Sequence, residues 1–340
     1  MSDIILSASK IKTAQSCSWK YWCKYHLNLP EHGNDGARRG TICHNVFEHL
    51  SKQKTKSQYN KIVNSQNPFS VKVIKEIIIS QAKELGVDDE ENLESIKDMI
   101  LNGLSFNFYG EELGIPSKSF SELDFNINQN GYHIRGFIDQ LFLYEDRKIA
   151  LIRDYKTSKK MFNGKEVEDN LQDYMYCLAV KNLFPEYEDI FSEFLFLKFI
   201  DRKQIELFSE ERKGAIKMAK LSDDDLAGFE MQLAEIQSYL ENFDEQTAVS
   251  NFAYDKGFPS DDSFSGKLEC GFAKEKGQLK KDGTLMWSCP FKFDFEYVLI
   301  FDSNGDFSTS VFLENFDESM VPEGGRCEKM KYNGCPRHNT

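Results

Sequence analysis

Residues Gly136 to Lys156 read GFIDQLFLYEDRKIALIRDYK. Two apolar runs, Phe137 to Tyr144 and Lys148 to Ile152, are rich in Ile, Leu and Phe, and the polar triplet Glu145-Asp146-Arg147 separates them. The stretch therefore predicts a β-hairpin. Asp139 interrupts the first apolar run, and Asp154 lies just past the second, two residues before Lys156. Side chains alternate between the faces of a strand, so Asp154 and Lys156 project to one side and Tyr155 to the other.

A carboxylate and an ammonium on one sheet face, with a second carboxylate one strand away, can hold a hard divalent cation and stabilise charge on a phosphate or an attacking water. The ordinary reading of Asp154 and Lys156 is a surface ion pair, which contributes little. On that triplet alone the ion pair is preferred, and the rest of the chain decides.

Moving outward, Ser121 to Ile127 predicts a strand carrying Glu122, and Asn128-Gln129-Asn130-Gly131 is a hairpin turn into Tyr132. Glu122 is at least as well explained as an edge charge. After Lys156, a polar loop leads to a helix over Asn170 to Asn182, on which Gln172 and Tyr176 are i and i+4 and share a face. Ser192 to Ile200 predicts the next strand, and the strand-helix-strand order implies a right-handed crossover in a mixed sheet. Upstream, Leu6 to Tyr25 predicts a capped helix with a break around Cys17, and Gly33 to Arg39 a polar loop. A second helix is expected from Gly40, with Ile42, Val46, Phe47 and Leu50 as its apolar face and His44 in its first turn. A lone histidine there is more often a packing residue than a ligand. Ser51 to Gly114 is helical and charged, Lys203 to Phe243 is largely helical, and the remainder shows little periodicity.

With 340 residues, 40% of them apolar, the chain can bury a sizeable core, and its 29% charged fraction argues against wholesale disorder. No apolar run approaches the roughly 18 residues that span a bilayer, and Met1-Ser2-Asp3 starts no signal peptide, so the expectation is a cytoplasmic protein with no membrane partner. The net charge of -13 weighs against a general nucleic-acid binder but leaves room for a local basic groove, for which Lys10, Lys12, Lys20, Lys24, Arg38 and Arg39 are candidates. Those residues are equally well read as a solvated face. The eight cysteines include no Cys-x2-Cys pair, which weakens a zinc-ribbon reading. No phosphate-loop motif is present, so the chain is not by itself an ATP-driven helicase.

In order, the chain carries SxxKxxxxxxC, GTICH, a strand glutamate, GFIDQL, RDYKT and QDYMY. Each alone is a chance match, but the series resembles the PD-(D/E)xK nuclease superfamily. Within it, the series is similar to the RecB-like nucleases that include the AddB nuclease domain, CRISPR adaptation nucleases and phage exonucleases. The resemblance spans Leu6 to about Ile200 and implies an α/β restriction-endonuclease-like core, a central mixed β-sheet flanked by helices, with a helical insertion and a C-terminal extension. The implied organisation is N-terminal helices of the core over 1–50, the insertion over 51–118, the catalytic core over 119–205, and a helical and irregular region over 206–340.

Carried onto this sequence, the resemblance implies that His44, Asp139 and Asp154 hold Mg2+ or Mn2+, with the Tyr155 carbonyl as a further ligand. Lys156 would activate or position water, Gln172 and Tyr176 would brace the lysine and the DNA strand, and Glu122 would be an accessory acid. The implied activity is a metal-dependent deoxyribonuclease, an exonuclease acting on DNA ends or single strands in recombination, repair or phage DNA processing. A helicase or recombination protein would be its partner, and the host cytoplasm its location if phage-encoded. The alternative is a non-catalytic nucleic-acid-binding or assembly subunit that retains the fold. Many RecB-like relatives also hold an iron-sulfur cluster through an N-terminal cysteine and a C-terminal Cys-x2-Cys-x5-Cys group. Cys17 fits the first position and Cys289 the middle of the second, but Met286 and Phe295 occupy the flanking places and cannot serve as thiolate ligands. Loss of the cluster is the simpler reading. A site of unusual spacing drawing on Cys270, Cys327 and Cys335, or a cluster or zinc site on Cys17, Cys289, Cys327 and Cys335, stays open.

Overall fold

The computed structural model describes residues 4–105, 107–200, 214–250 and 270–338. The chain divides into two compact units, one of Met1–Ala8 and Gly33–Gln237, the other of Ser9–His32 and Ser238–Thr340.

The first unit is built on a five-stranded sheet in the order β1-β2-β3-β4-β5, with β1 Lys118–Gln129, β2 Tyr132–Tyr144, β3 Ile149–Lys156, β4 Asp189–Phe196 and β5 Ala215–Lys217. All neighbours are antiparallel except β3 and β4, which run parallel. The sheet is therefore mixed and α/β, as expected. The hairpin of the opening stretch forms as β2 and β3, with Gln140 opposite Arg153 and Tyr144 opposite Ile149. In the β1–β2 turn Asn130 and Gly131 both take positive φ, 49° and 81°, the pair of left-handed conformations that a two-residue hairpin requires. Between β3 and β4 lie α7 (Lys165–Glu168) and α8 (Leu171–Leu183).

Helices α3 (Asp35–Ser51), α4 (Lys56–Ser65), α5 (Lys72–Glu84) and α6 (Glu90–Leu104) share a core with the sheet. Ile42, Val46, Phe47 and Leu50 of α3 are buried with Ile74, Ile78, Ile96 and Met99, and Tyr155 and Leu195 join them from β3 and β4. At about 25 cal/mol per Å² of apolar surface, this cluster supplies much of the unit's hydrophobic stabilisation.

Several boundaries differ from expectation. The helix expected from Gly40 begins at Asp35, because the Asn34 side chain accepts from the Ala37 N–H and caps it inside what reads as a loop. His44 thus sits in mid-helix. The helix expected over Lys203 to Phe243 is α9, Asp223–Glu241, preceded by strand β5; residues 203–213 lie outside the described residues.

In the second unit, the expected break at Cys17 separates α1 (Ala8–Ser16) from α2 (Ser18–Tyr25). Ser18 Oγ donates to the Ala248 carbonyl of α10 (Glu245–Ser250) at 2.9 Å. The stretch with little apparent periodicity forms a three-stranded antiparallel sheet, β7-β6-β8, from β6 Phe295–Phe301, β7 Phe307–Phe312 and β8 Arg326–Tyr332. Trp19 Nε1 donates to the Tyr332 hydroxyl at 2.8 Å, which in turn donates to the Phe291 carbonyl at 2.9 Å. Among the described residues, no helix is long and apolar enough to cross a membrane.

Candidate metal centre and its lysine

At the middle of the sheet, three acids and a histidine meet. Glu122 on β1 lies between the paired positions Ser121–Gln140 and Leu123–Ile138, which places it opposite Asp139 of β2. Its φ of +50° is a left-handed conformation that a residue with a Cβ adopts only where its surroundings impose it. From α3, His44 Nδ1 comes to 3.3 Å of Glu122 Oε1 and 3.4 Å of Asp139 Oδ1. The donor atoms of His44, Glu122 and Asp139 all fall within 4.8 Å of one another.

Asp139 is buried, and its second oxygen, Oδ2, accepts the backbone N–H of Tyr155 at 2.7 Å. That bond ties the β2 acid to the β3 backbone beside Asp154. Asp154 is almost fully buried, with Oδ1 accepting from Gln172 Nε2 at 2.9 Å and from the Tyr176 hydroxyl at 3.2 Å. Its Oδ2 lies 2.6 Å from Lys156 Nζ but takes part in no hydrogen bond of ordinary geometry. Lys156 Nζ also donates to Gln172 Oε1 at 2.6 Å and lies 5.2 Å from the centre of the Phe194 ring. Gln172 therefore bridges the lysine and the aspartate, and Nε2 also donates to Tyr176 at 2.5 Å.

Tyr155 takes the opposite face, as strand alternation requires. Its ring packs 4.4 Å from that of Phe47, and its hydroxyl donates to Gln140 Oε1 at 3.0 Å. Asn170 sets the helix that carries Gln172 and Tyr176: its side chain accepts from the Gln172 and Asp173 N–H groups at the N-terminus of α8.

The electrostatics follow from this crowding. Burial disfavours a charged His44, but the Asp139 carboxylate, hydrogen bonds to Asp139 and Glu122, and the charge of Asp154 outweigh it and raise the imidazole to about 10. Burial raises the Asp154 carboxyl to about 6 against the opposing pull of Lys156, and the nearby charge of Asp139 adds to the rise. The carboxylates of Glu122 and Asp139 gathered on one imidazole leave negative charge that a cation can balance.

The structure thus brings together His44, Glu122 and Asp139 as one compact group, and Asp154, Lys156, Gln172 and Tyr176 as a second that joins it through Asp139 and Tyr155. Cys17 and Cys289 belong to the other unit, where they line a cavity with Cys270 and Cys335. Beside the acids, a cavity of about 560 Å³ is lined by Gly40, Thr41, His44, Glu122, Phe137 and Thr157, among others. Two of these residues escaped the sequence reading. Phe137 is 47% exposed and two residues from Asp139, so alternation alone would have placed it on the acid face. Gly40 lets α3 approach the segment after β3: a Cβ there would stand 2.9 Å from Thr157 Oγ1.

A family model for the PD-(D/E)XK nuclease superfamily matches residues 5–249. Among solved structures, a candidate exonuclease from Eubacterium rectale overlaps with a TM-score of 0.41 at 10% identity, over 68% of this chain and 77% of that one. A Vibrio cholerae protein overlaps with a TM-score of 0.23 at 9% identity, over 69% of this chain and 58% of that one. Both overlaps are distant, and the family match alone bears on function. No curated protein matches the sequence.

Proposed function

The chain belongs to the PD-(D/E)XK nuclease superfamily, and on that premise we propose that it hydrolyses phosphodiester bonds of DNA with a divalent cation held at the acid cluster. The observation that carries the reading is the Lys156 ammonium held between Asp154 and Gln172, one strand from the group formed by His44, Glu122 and Asp139.

The donor set fits Mg2+ or Mn2+. Hard cations of this size take oxygen ligands, which the carboxylates of Glu122, Asp139 and Asp154 offer, with His44 adding one nitrogen. The Asp154 oxygen that takes part in no ordinary hydrogen bond is buried and faces Lys156. His44, Glu122, Asp139 and Asp154 would hold the ion, with the Tyr155 carbonyl as a further donor. When bound, it supplies Lewis-acid stabilisation of charge on the scissile phosphate.

The chain's own residues do the remaining work. Lys156 keeps one positive charge at the acid face, where negative charge grows on phosphate oxygens during attack by water. Gln172 orients it, because its amide accepts from the ammonium and donates to Asp154 at once. Tyr176 fixes the other side of Asp154. Phe137, exposed along the cavity, offers a face on which an unpaired base can stack. The finer reading, an exonuclease acting on ends or single strands in recombination, repair or phage DNA processing beside a helicase or recombination protein, is supported by the RecB-like order of His44, Asp139, Asp154, Lys156, Gln172 and Tyr176. The non-catalytic alternative draws on the acidic net charge of -13. A complete acid-lysine network weighs against it.

The test is digestion of end-labelled linear and circular DNA, single- and double-stranded, with Mg2+, Mn2+ or EDTA. The expected result is cleavage of linear DNA that EDTA abolishes and that is absent in Asp139→Ala and Lys156→Ala proteins. Full activity in Asp139→Ala would refute the site, and cleavage of circles would refute the exonuclease reading. No cleavage of any substrate by the native protein would favour the binding subunit.

A further inference from the structure

Residues Gly271 to Ser288 of the second unit read GFAKEKGQLKKDGTLMWS and turn back on themselves as a hairpin. Its tip is closed by backbone bonds: the Lys280 N–H donates to the Thr284 carbonyl at 2.7 Å, the Gly283 N–H to the Lys280 carbonyl at 3.0 Å, and the Met286 N–H to the Gln278 carbonyl at 2.8 Å. Gly283 has φ of +81°, the left-handed residue that ends a three-residue hairpin loop. The Asp282 carboxylate fixes that loop by accepting from the Thr284 N–H at 2.9 Å and from its hydroxyl at 2.6 Å. At the base, Gly271 bridges Ser288, and the buried Lys292 Nζ donates to the Gly271 carbonyl at 3.1 Å.

The bonds at the tip lie on either side of Leu279 and Leu285, which pair across the hairpin without bonding to each other. That is the arrangement in which opposed side chains of antiparallel strands stand closest. The two leucines are 57% and 65% exposed, and Phe272 and Trp287 near the base are exposed as well. An exposed apolar group rimmed by charge is the mark of a contact surface. The rim here is positive. Lys274, Lys276, Lys280 and Lys281 are opposed within the stretch only by Glu275 and Asp282, in a chain whose net charge is -13. All four lysines are exposed.

We propose that this hairpin is a wedge for DNA ends, with Leu279 and Leu285 packing against the terminal base pair and unstacking it while Lys274, Lys280 and Lys281 hold backbone phosphates. The flat face of the last base pair is the apolar surface that a duplex end offers, and apolar side chains of this kind open base steps when cations anchor the backbone beside them. A protein groove would accept the leucines but has no use for the lysines. An anionic membrane would accept both, and membership of a nuclease superfamily decides for DNA. The proposal rests on the DNA reading above and adds to it a way of opening a duplex end without a nucleotide-driven motor.

The experiment mixes the full chain, in EDTA, with a blunt duplex that carries 2-aminopurine either in its terminal pair or at its centre. Fluorescence of the terminal probe should rise severalfold on binding, and that of the central probe should stay level. The rise should vanish in the double variant Leu279→Ser with Leu285→Ser, whose unchanged thermal melt would show that these exposed positions leave the fold intact. Lys280→Ala with Lys281→Ala should lower the slope of log affinity against log salt by about two, one for each phosphate contact removed. No binding of the duplex, binding without a terminal signal, or a terminal signal kept by the leucine variant would overturn the wedge. So would leucine-dependent capture by phosphatidylglycerol vesicles in a protein that gives no terminal signal. Because cleavage is not read, unpairing by a chain that cuts no DNA would keep the wedge and remove the nuclease, and cleavage without unpairing would do the reverse.

Discussion

Lys156 Nζ lies 2.6 Å from Gln172 Oε1 across the gap between β3 and α8. The contact makes the lysine's position depend on a neutral side chain, because Asp154 alone would let the ammonium pivot about one oxygen. Gln172 is therefore a positioning residue. Gln172→Ala should lower kcat for DNA cleavage on the order of a hundredfold, the size of effect that small misplacement of a reacting group produces. Mn2+ affinity, measured by calorimetry, should stay near native. A loss of metal binding that matches the loss of rate would assign Gln172 to the metal instead.

Phe137, exposed on the acid face of β2, should contribute to single-strand binding. Replacing it with Ala is expected to weaken binding of an oligonucleotide by about 1–3 kcal/mol, the usual range for one stacked base. Fluorescence anisotropy in Ca2+ or EDTA would measure this without cleavage. Unchanged affinity would remove Phe137 from the substrate path.

Arg153 is completely buried, with Nε 2.6 Å from Glu193 and its other nitrogens bonded to Glu112 and the Asn107 carbonyl. Substitution by Leu leaves Glu193 as a buried, uncompensated charge, for an expected loss of about 3–5 kcal/mol in urea unfolding. The double change Arg153→Leu with Glu193→Leu should recover most of it, since apolar residues of similar volume fill the same space. A single-variant loss below about 1 kcal/mol would mean that water reaches the pair.

Gly136 lies opposite Phe125 in the β1–β2 ladder, and a Cβ on it would stand 2.6 Å from the Phe125 ring. The ring leans over the glycine, edge-on to Tyr176 at 6.1 Å. Gly136→Ala must push that ring toward Tyr176, so a stability loss of about 1–3 kcal/mol is expected. Gly136→Ala with Phe125→Leu should restore part of it, and an unaltered melting temperature in the single variant would show that the ring moves freely.

In the second unit, His26 stacks on Trp22 with ring centres 4.5 Å apart. Burial, with a smaller contribution from Lys10, holds the imidazole below its ordinary 6.5. A depressed folded value means the unfolded chain binds the proton first. The stabilisation is thus complete above about pH 6.5 and lost as pH falls through the lowered folded value. Unfolding midpoints followed by tryptophan fluorescence should drop on acidification through that window, and the drop should shrink in His26→Gln. An equal drop in both proteins would place the acid sensitivity elsewhere.

The hairpin and the strand-helix-strand unit after it were legible because their signals are local. Apolar runs, the Asn130-Gly131 turn and the two-residue spacing of Asp154 and Lys156 are set by alternation along one strand, and Gln172 and Tyr176 by one helical turn. The start of α3 was not recovered, since a single asparagine cap outweighed a composition that reads as loop. Nor was the C-terminal sheet, whose strands are short and half exposed.

What sequence alone determined is which chemical groups the chain carries and on which face of each element they stand. Which groups meet is a property of the tertiary structure. His44 reaches Glu122 across 78 residues only because α3 packs against the sheet through Val46 and Phe47. Cys17 comes to Cys335 only because loops and strands fold around α2. Contacts of that range are fixed by burial of apolar surface and by topology, which no local spacing encodes.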